Sequence, residues 1–225
     1  MQRYFVKEKQ NNQFIFKNSD IHHIKNVMRF KAGDKIEVVF EEKTYLCQLT
    51  NLDPLNIKII DEYNEDSELP IDLTVAVALV NEQKFDLILQ KLTELGVSTI
   101  IPLKTERSIV KLDDKKANKK IERWQMICKE AGEQSHRTKI PIIERIQTLN
   151  EVAALNYDLK LICSLSEDTK PLKDYLDDKI NNIIFVIGPE GGFTKDEELK
   201  LISNSFNRTS LGKRVLRVET AAIYV

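Results

Sequence analysis

Glycine is scarce in this chain. There are seven in 225 residues, and three of them, Gly188, Gly191 and Gly192, fall within one stretch of five. A chain with little glycine has few places where the backbone can take positive φ or let another molecule come close, so a cluster of them carries information. Cysteine is also sparse. Cys47, Cys128 and Cys163 are odd in number and far apart, which excludes a disulfide framework or a zinc-ligand spacing and fits a reducing cytoplasm. The three histidines, His22, His23 and His136, add no metal-ligand spacing. No window approaches the run of about 20 apolar residues that spans a bilayer. Met1-Gln2-Arg3-Tyr4 lacks the apolar core of a secretory signal. Charge of one sign is missing too: the net charge is −1, so the total does not announce a nucleic-acid binder.

What is present reads as an ordinary soluble globular chain, 42% apolar and 31% charged. Its length suits one large domain or two modest ones. Its charge is unevenly placed. Asp61, Glu62, Glu65, Asp66 and Glu68 form an acidic stretch, and residues 104–145 carry twelve Lys/Arg against seven Asp/Glu. Arg208, Lys213, Arg214 and Arg217 stand nearly alone near the end. Local basic faces matter more for phosphate contacts than the total. The run Lys115, Lys116, Lys119, Lys120 reads as a solvated helix face.

Residues 1–60 predict a small β-rich module. Short apolar strands are expected at residues 4–6, 14–16, 35–40, 44–49 and 56–60, with a short helix opened by Ser19-Asp20 and running through Met28. Several short strands at close spacing suggest a small barrel, serving as an RNA-binding platform or as a structural appendage. Residues 61–70, acidic and closed by Pro70, have a linker composition. Two domains follow from this, residues 1–68 and 69–225.

Beyond the linker the period changes. Residues 73–80 form a continuous apolar run, as in a strand buried on both faces. Phe85, Ile88, Leu89, Leu92 and Leu95 recur at helical spacing, and Gly96 sits at the helix C-cap. Residues 97–103 return to strand, which makes a βαβ unit. A long helix is predicted from Asp114 to Glu133, a strand near residues 140–146, a short helix behind the capping box Thr148–Glu151, a strand at 158–164, a polar helix opened by Pro171, and a last short strand at 209–211. Alternating strands and helices mean a mostly parallel sheet.

The glycine cluster lies in this second half. Residues 183–187 read as a buried strand, Gly188-Pro189-Glu190-Gly191-Gly192 as a loop, and Thr194 with Glu197 as a capping box that starts a helix at Lys195. Open α/β sheets hold ligands at such loops. The loop is neither a Walker loop nor Gly-x-Gly-x-x-Gly, and alone it reads equally as a tight turn. A second element, residues 211–221, sets Gly212 before Arg214 and Arg217 and then Glu219 and Thr220.

Together the two segments resemble the signature loops of the SPOUT class of RNA methyltransferases, most closely the RsmE family, which methylates N3 of a uridine in small-subunit (16S) ribosomal RNA. The resemblance runs along the whole chain. Arg3 falls at the family's N-terminal arginine, and His23, Val27, Arg29, Gly33 and Asp34 on its His…Val-x-Arg…Gly-Asp pattern. Gln90-Lys91, Glu94 to Val97, Ile101-Pro102-Leu103 and Glu106-Arg107-Ser108 match the first βαβ unit. Ala131, Gln134, Ser135, Arg137 and Pro141 match a later segment. Two positions depart from the family: Asn81 stands where a lysine is usual, and the chain stops at Val225 where the family continues into a longer Ala-rich helix, so a truncated or differently closed knot and a weaker dimer seam are expected.

The resemblance implies a small PUA-like β-barrel followed by a SPOUT-type knotted, mostly parallel sheet, a homodimer, and S-adenosylmethionine held in the knot. The implied cofactor residues are Ser164, Leu165, Ile187, Gly188, Pro189, Glu190, Gly191, Gly192, Leu211, Gly212, Arg214, Leu216, Arg217, Glu219 and Thr220. The implied catalytic residues are Arg217, Glu190 and Arg137, with Arg217 stabilising a uridine anion and Glu190 orienting the loop or assisting proton removal. Arg137 is expected near the cofactor loop of the other subunit. Arg3, His23, Arg29, Arg107 and Arg137 are expected on RNA, the partner being small-subunit rRNA within an assembled subunit. For the arginines an ion pair with Glu190 or Glu219 is the competing structural role. No metal and no membrane are expected. A non-catalytic RNA-binding protein on the same fold, methylation of another RNA position, and an α/β phosphate-binding enzyme stay open. Glu190, Asp196, Glu197 and Glu198 count against the last, since they would repel an anion.

Overall fold

The structure, a computed structural model, describes residues 1–65, 67–108, 114–177 and 179–225. Asp66 of the expected linker and the side chains of Lys115 and Lys116 lie outside the described residues. The chain forms two compact units, Met1–Glu68 with Gly132–Lys139, and Leu69–Ala131 with Ile140–Val225. The expected boundary at 68/69 took no account of the second segment that folds with the first unit.

The first unit holds strands β1 (Arg3–Phe5), β2 (Lys9–Gln10) and β3 (Gln13–Phe14), helix α1 (Asn18–His22) continued by a π-helical turn (His23–Val27), and strands β4 (Lys35–Phe40), β5 (Lys43–Leu52) and β6 (Leu55–Tyr63). The sheet order is β1-β4-β5-β6, and β2–β3 is a separate hairpin. Alternation along β4 and β5 buries Ile36, Val38, Tyr45, Cys47 and Leu49 around Tyr4, Phe14 and Ile24. The Gln13 side chain brackets the Ile57 backbone, donating to its carbonyl at 2.9 Å and accepting from its amide at 3.2 Å, so the hairpin lies over β6. This is the small β-rich module expected, a four-stranded sheet with the β2–β3 hairpin set against it. The short helix begins after Lys17 without a side-chain cap, so Ser19-Asp20 does not start it.

The acidic stretch is not a solvated linker. Strand β6 runs through Asp61 and Glu62 to Tyr63, and Glu65 and Glu68 are bound to buried arginines. A run of carboxylates reads as linker only when no cation in the fold claims them.

The second unit holds β7 (Asp72–Ala78), α2 (Glu82–Glu94), β8 (Thr99–Lys104), α3 (Asp114–Gln134, which passes into the first unit), β9 (Ile142–Ile143), β10 (Gln147–Thr148), α4 (Leu149–Ala153), β11 (Leu159–Cys163), β12 (Lys170–Pro171), β13 (Asn182–Ile187), α5 (Lys195–Ser203), β14 (Asn207–Ser210) and α6 (Val218–Tyr224). The sheet order is β10-β8-β7-β13-β11-β14-β12, with β9 on β8, and every pairing is parallel. Strands buried on both faces explain the unbroken apolar runs of β7 and β13. One face packs on α2 and α3, where Phe85 and Trp124 stack at 4.5 Å between centroids. The other packs on α4 and α5. Pro171 opens only a 3-10 turn, Leu172–Asp174, in place of the expected polar helix. No helix among the described residues is long and apolar enough to cross a membrane.

The order of β13, β11 and β14 positions the site. Strand β11 is flanked by two strands that both come later in the chain, so the chain leaves β13 on one side of it, crosses to β14 on the other, and returns as α6 against α2 and β13.

Candidate active site

Because β13, β11 and β14 are adjacent and parallel, the loops that leave their C-terminal ends emerge at one edge of the sheet. Open α/β sheets hold ligands at such an edge. The three loops and the start of α6 wall a cleft of about 570 Å³, the size of a small-molecule site. Ser164, Leu165 and Ser166 form one wall, Ile187 to Glu190 with Gly192 and Phe193 the second, and Ser210, Leu211, Gly212 and residues 214–218 the third.

Glycine is required at definite points. A Cβ on Gly188 would lie 3.0 Å from the Phe193 ring. Gly192 takes φ +66° and donates its N–H to the Pro189 carbonyl at 2.8 Å, and Gly212 takes φ +111°. These conformations disfavour any side chain. Gly191 differs: a Cβ there would meet the flexible Arg107 side chain at 3.4 Å. Arg107 Nη1 donates to the Gly191 carbonyl at 2.6 Å and to that of Phe193 at 3.2 Å. Arg107, expected on RNA, therefore clamps the glycine loop. Beside it the Thr194–Glu197 capping box starts α5 at Lys195, and the other Glu197 oxygen accepts from the Glu106 amide at 2.8 Å.

Charges on the walls are paired or free in a definite pattern. Glu190 Oε1 accepts from Lys84 Nζ of α2 at 2.8 Å. That hydrogen bond holds the Glu190 carboxyl below its ordinary range and the Lys84 ammonium above its own. A carboxylate made less basic suits the orienting role better than proton removal. Asn81, at the departure from the family, caps α2 by accepting from the Lys84 amide at 3.0 Å. On the opposite wall Glu198 accepts from Ser164 Oγ at 3.0 Å and from Arg208 Nε at 3.0 Å, and Arg208 also pairs with Asp168 at 2.6 Å. This network ties the loop after β11, the first turn of α5 and β14 together. Arg214 and Arg217 line the cleft and are exposed.

Of the cofactor residues expected from sequence, Ser164, Leu165, Ile187, Gly188, Pro189, Glu190, Gly192, Leu211, Gly212, Arg214, Leu216 and Arg217 line the cleft. Gly191, Glu219 and Thr220 do not. The Gly191 carbonyl is taken by Arg107, and the other two sit in the first turn of α6, where Glu219 Oε2 is buried with no hydrogen-bond partner among the described residues. Sequence reasoning missed Cys163, Ser166, Phe193, Glu198, Thr209, Ser210, Val218 and Ala221, which line the cleft, and Lys84, which holds its rim. Phe193 and Thr209 had a signal in their neighbours. Lys84 had none, since it lies over a hundred positions from Glu190.

The first unit holds the remaining expected residues. Arg3 is fully buried. It donates to Glu37 at 2.9 Å, pairs with Glu65 at 2.6 Å, and donates to the carbonyls of His136 and Arg137 at 2.7 and 3.1 Å. Arg137 is buried and pairs with Glu68 at 2.6 Å. Neither guanidinium has surface to offer a phosphate or a second subunit, so both sit in structural positions in place of the contacts expected. His23 Nδ1 lies 2.9 Å from the Tyr4 hydroxyl. Arg29 is exposed, with φ +54°.

Comparison with known proteins agrees with this geometry. Residues 67–225 match the family model of an RNA methyltransferase domain, and residues 16–62 that of an RNA methyltransferase PUA domain. The chain is 37% identical to ribosomal RNA small subunit methyltransferase E of Bacillus subtilis, over all of this chain and 94% of that protein. It is 34% identical to the protein of that name from Mesomycoplasma hyopneumoniae, over 100% and 97%. The solved structure of ribosomal RNA small subunit methyltransferase E from Neisseria gonorrhoeae, bound to S-adenosylmethionine, superposes with a TM-score of 0.90 at 31% identity, covering 99% of this chain and 94% of that one. With a family model over most of its length and relatives of one name along all of it, the chain belongs to the ribosomal RNA small subunit methyltransferase E family of SPOUT-type RNA methyltransferases.

Proposed function

We propose that this chain transfers the methyl group of S-adenosylmethionine to N3 of a uridine in small-subunit (16S) ribosomal RNA, in the cytoplasm where that RNA is assembled. The observation that carries this reading is the cleft itself: 570 Å³, walled by the three loops that follow β11, β13 and β14, with two exposed arginines on its edge. The residues present fit the cofactor. Gly192 and Gly212 have open space where a Cβ would lie, and Ile187, Leu211, Leu216 and Val218 offer apolar contact. When bound, the cofactor supplies a methyl carbon activated by a sulfonium.

The protein's part is alignment and exclusion of water. The glycine loop and the 211–216 turn hold the donor. Uridine N3 carries an imide proton used in base pairing, so the base is read unpaired or turned out of its stack. Arg217, with Arg214 beside it, stabilises the anion left when that proton departs. Glu190 fixes the glycine loop through Lys84. In the first unit Arg29 and the exposed turn around Val27 and Met28 meet the RNA.

The enzyme works as a homodimer on an assembled subunit. Exposed Ile223 and Tyr224 on α6 and Val215 before it supply apolar surface for a second copy. Sedimentation showing a fully active monomer would remove that part alone. The reading as a whole is tested by titrating the full chain with S-adenosylmethionine, then incubating it with unmethylated small-subunit particles and analysing the nucleosides. Tight binding and N3-methyluridine are expected. Methyl transfer to a ribose or to another base would overturn the assignment.

A further inference from the structure

The two loops that carry the family resemblance lie far along the chain, yet a cation from the first βαβ unit reaches them. Lys84 stands in the first turn of α2, placed there by the Asn81 cap. Its Nζ donates to Glu190 at 2.8 Å, and Glu190 lines the cleft. Glu219 and Arg217, on the opposite loop and the start of α6, both act on Lys84 electrostatically, one favouring its charge and one opposing it. Lys84 therefore stands at the rim of the cleft, held to the glycine loop by Glu190 and carried on the helix that packs against α6. Its side chain is 30% exposed. An ammonium has three donors, and Glu190 takes one.

We infer that Lys84 is a further catalytic residue, donating a hydrogen bond to a carbonyl oxygen flanking N3 of the target uridine and sharing with Arg217 the stabilisation of the anion. The inference rests on the reading above. In the step, the N3 proton leaves to solvent in a pre-equilibrium. The N3 electron pair then forms a bond to the methyl carbon. The carbon–sulfur bond breaks, and its pair stays on sulfur as a neutral thioether. Lys84 neither gives nor takes a proton. Its charge lowers the pH at which the bound imide ionises.

The surroundings favour a permanently charged Lys84. Glu190 faces it from the glycine loop, and Glu219 and Arg217 from the turn and α6. On its own helix Glu82 and Asp86 are occupied by Lys120 and Arg123 of α3. Two anions and one cation around it leave the ammonium form preferred.

The test uses the full chain, saturating S-adenosylmethionine and small-subunit particles in single turnover across a range of pH. Lys84→Ala should slow methylation about tenfold or more, less than loss of a sole oxyanion donor because Arg217 remains. The midpoint of its rate–pH profile should move up by about one unit, the equivalent of that factor. Lys84→Arg should keep the wild-type midpoint, and any loss of calorimetric affinity for S-adenosylmethionine in Lys84→Ala, from the loosened glycine loop, should be much smaller than the loss of rate. A slower Lys84→Ala enzyme with an unmoved midpoint, or one that loses cofactor affinity in proportion to rate, would make Lys84 only a fastener of the glycine loop. Nucleoside analysis separates this from failure of the underlying reading. If the wild type makes no N3-methyluridine, the reading falls. If it does and the midpoint is unmoved, only the role of Lys84 falls.

Discussion

Arg3 and Arg137 in the first unit invite comparison with Arg214 and Arg217 in the second. All four stand out in the sequence as candidate nucleic-acid or active-site arginines. In the fold their surroundings are opposite. Arg3 and Arg137 are buried, each against a carboxylate from the acidic stretch after β6. Arg214 and Arg217 are exposed on the wall of a cleft. A buried arginine whose donors are taken by carboxylates and carbonyls has done its work in folding. An exposed one beside a ligand-sized cleft is free to meet an anion. The carboxylates, more than the arginines, tell the two uses apart.

The largest effect that would break this comparison is on stability. Arg3→Ala leaves Glu37 and Glu65 without their cation in a largely buried place. Removing one partner of such a pair costs roughly 3 kcal/mol or more, a fall in Tm on the order of 10 °C in a calorimeter. Cofactor affinity of the protein that remains folded should be unaffected. A variant of unchanged Tm with weakened RNA binding would return Arg3 to the RNA surface. Arg217→Ala should do the reverse. Its Tm should hold, while single-turnover methylation falls about a hundredfold, some 3 kcal/mol, and raising the pH should restore part of the rate. Loss of cofactor affinity in proportion to rate would make Arg217 a loop-building residue.

A third test sharpens the comparison through pH. Burial pushes the Glu68 and Glu65 carboxyls up, but the hydrogen bonds and charge of Arg137 and Arg3 outweigh it and hold both below the ordinary range. A carboxyl lowered in the folded state contributes stability that is present above its unfolded pKa and lost as pH falls through the folded one. Denaturant titration should therefore show stability falling as pH drops below about 4.5, the ordinary value, and Glu68→Gln should flatten that slope. An equal slope in the variant would mean that the pair adds nothing.

How much of this was legible in the sequence follows from the kind of signal each part leaves. The runs at 73–80 and 183–187, the helical spacing of Phe85, Ile88, Leu89 and Leu92, and the two capping boxes are local, and the elements stand close to where they were expected. Strand β2, two polar residues long, was missed, while its partner β3 was expected at residues 14–16 and lies at Gln13–Phe14. Strand order was not legible either, since nothing local to β13 says that it sits between β7 and β11. Most of the cleft lining was found from the two loops. Glu198 was read as a charge hostile to phosphate, when Arg208 and Ser164 already occupy it.

Smaller effects test the cleft walls. Gly188→Ala forces a Cβ against Phe193, an overpacking worth about 1–3 kcal/mol, and should weaken cofactor binding by roughly tenfold or more. Gly191→Ala meets only the movable Arg107 side chain and should change it little. Equal losses would mean that Gly191 also lies against the ligand. The smallest change is expected from Asp168→Asn, because Asp168 is mostly exposed and such pairs contribute about 0–1 kcal/mol.

The most direct measurement is single-turnover methylation of unmethylated small-subunit particles by the wild type and by Arg217→Ala, with the digested RNA resolved into nucleosides and cofactor affinity measured alongside. The account predicts N3-methyluridine as the product, a loss of about a hundredfold in rate for the variant, and equal affinity for S-adenosylmethionine. A different methylated nucleoside, or a variant as fast as the wild type, would contradict it.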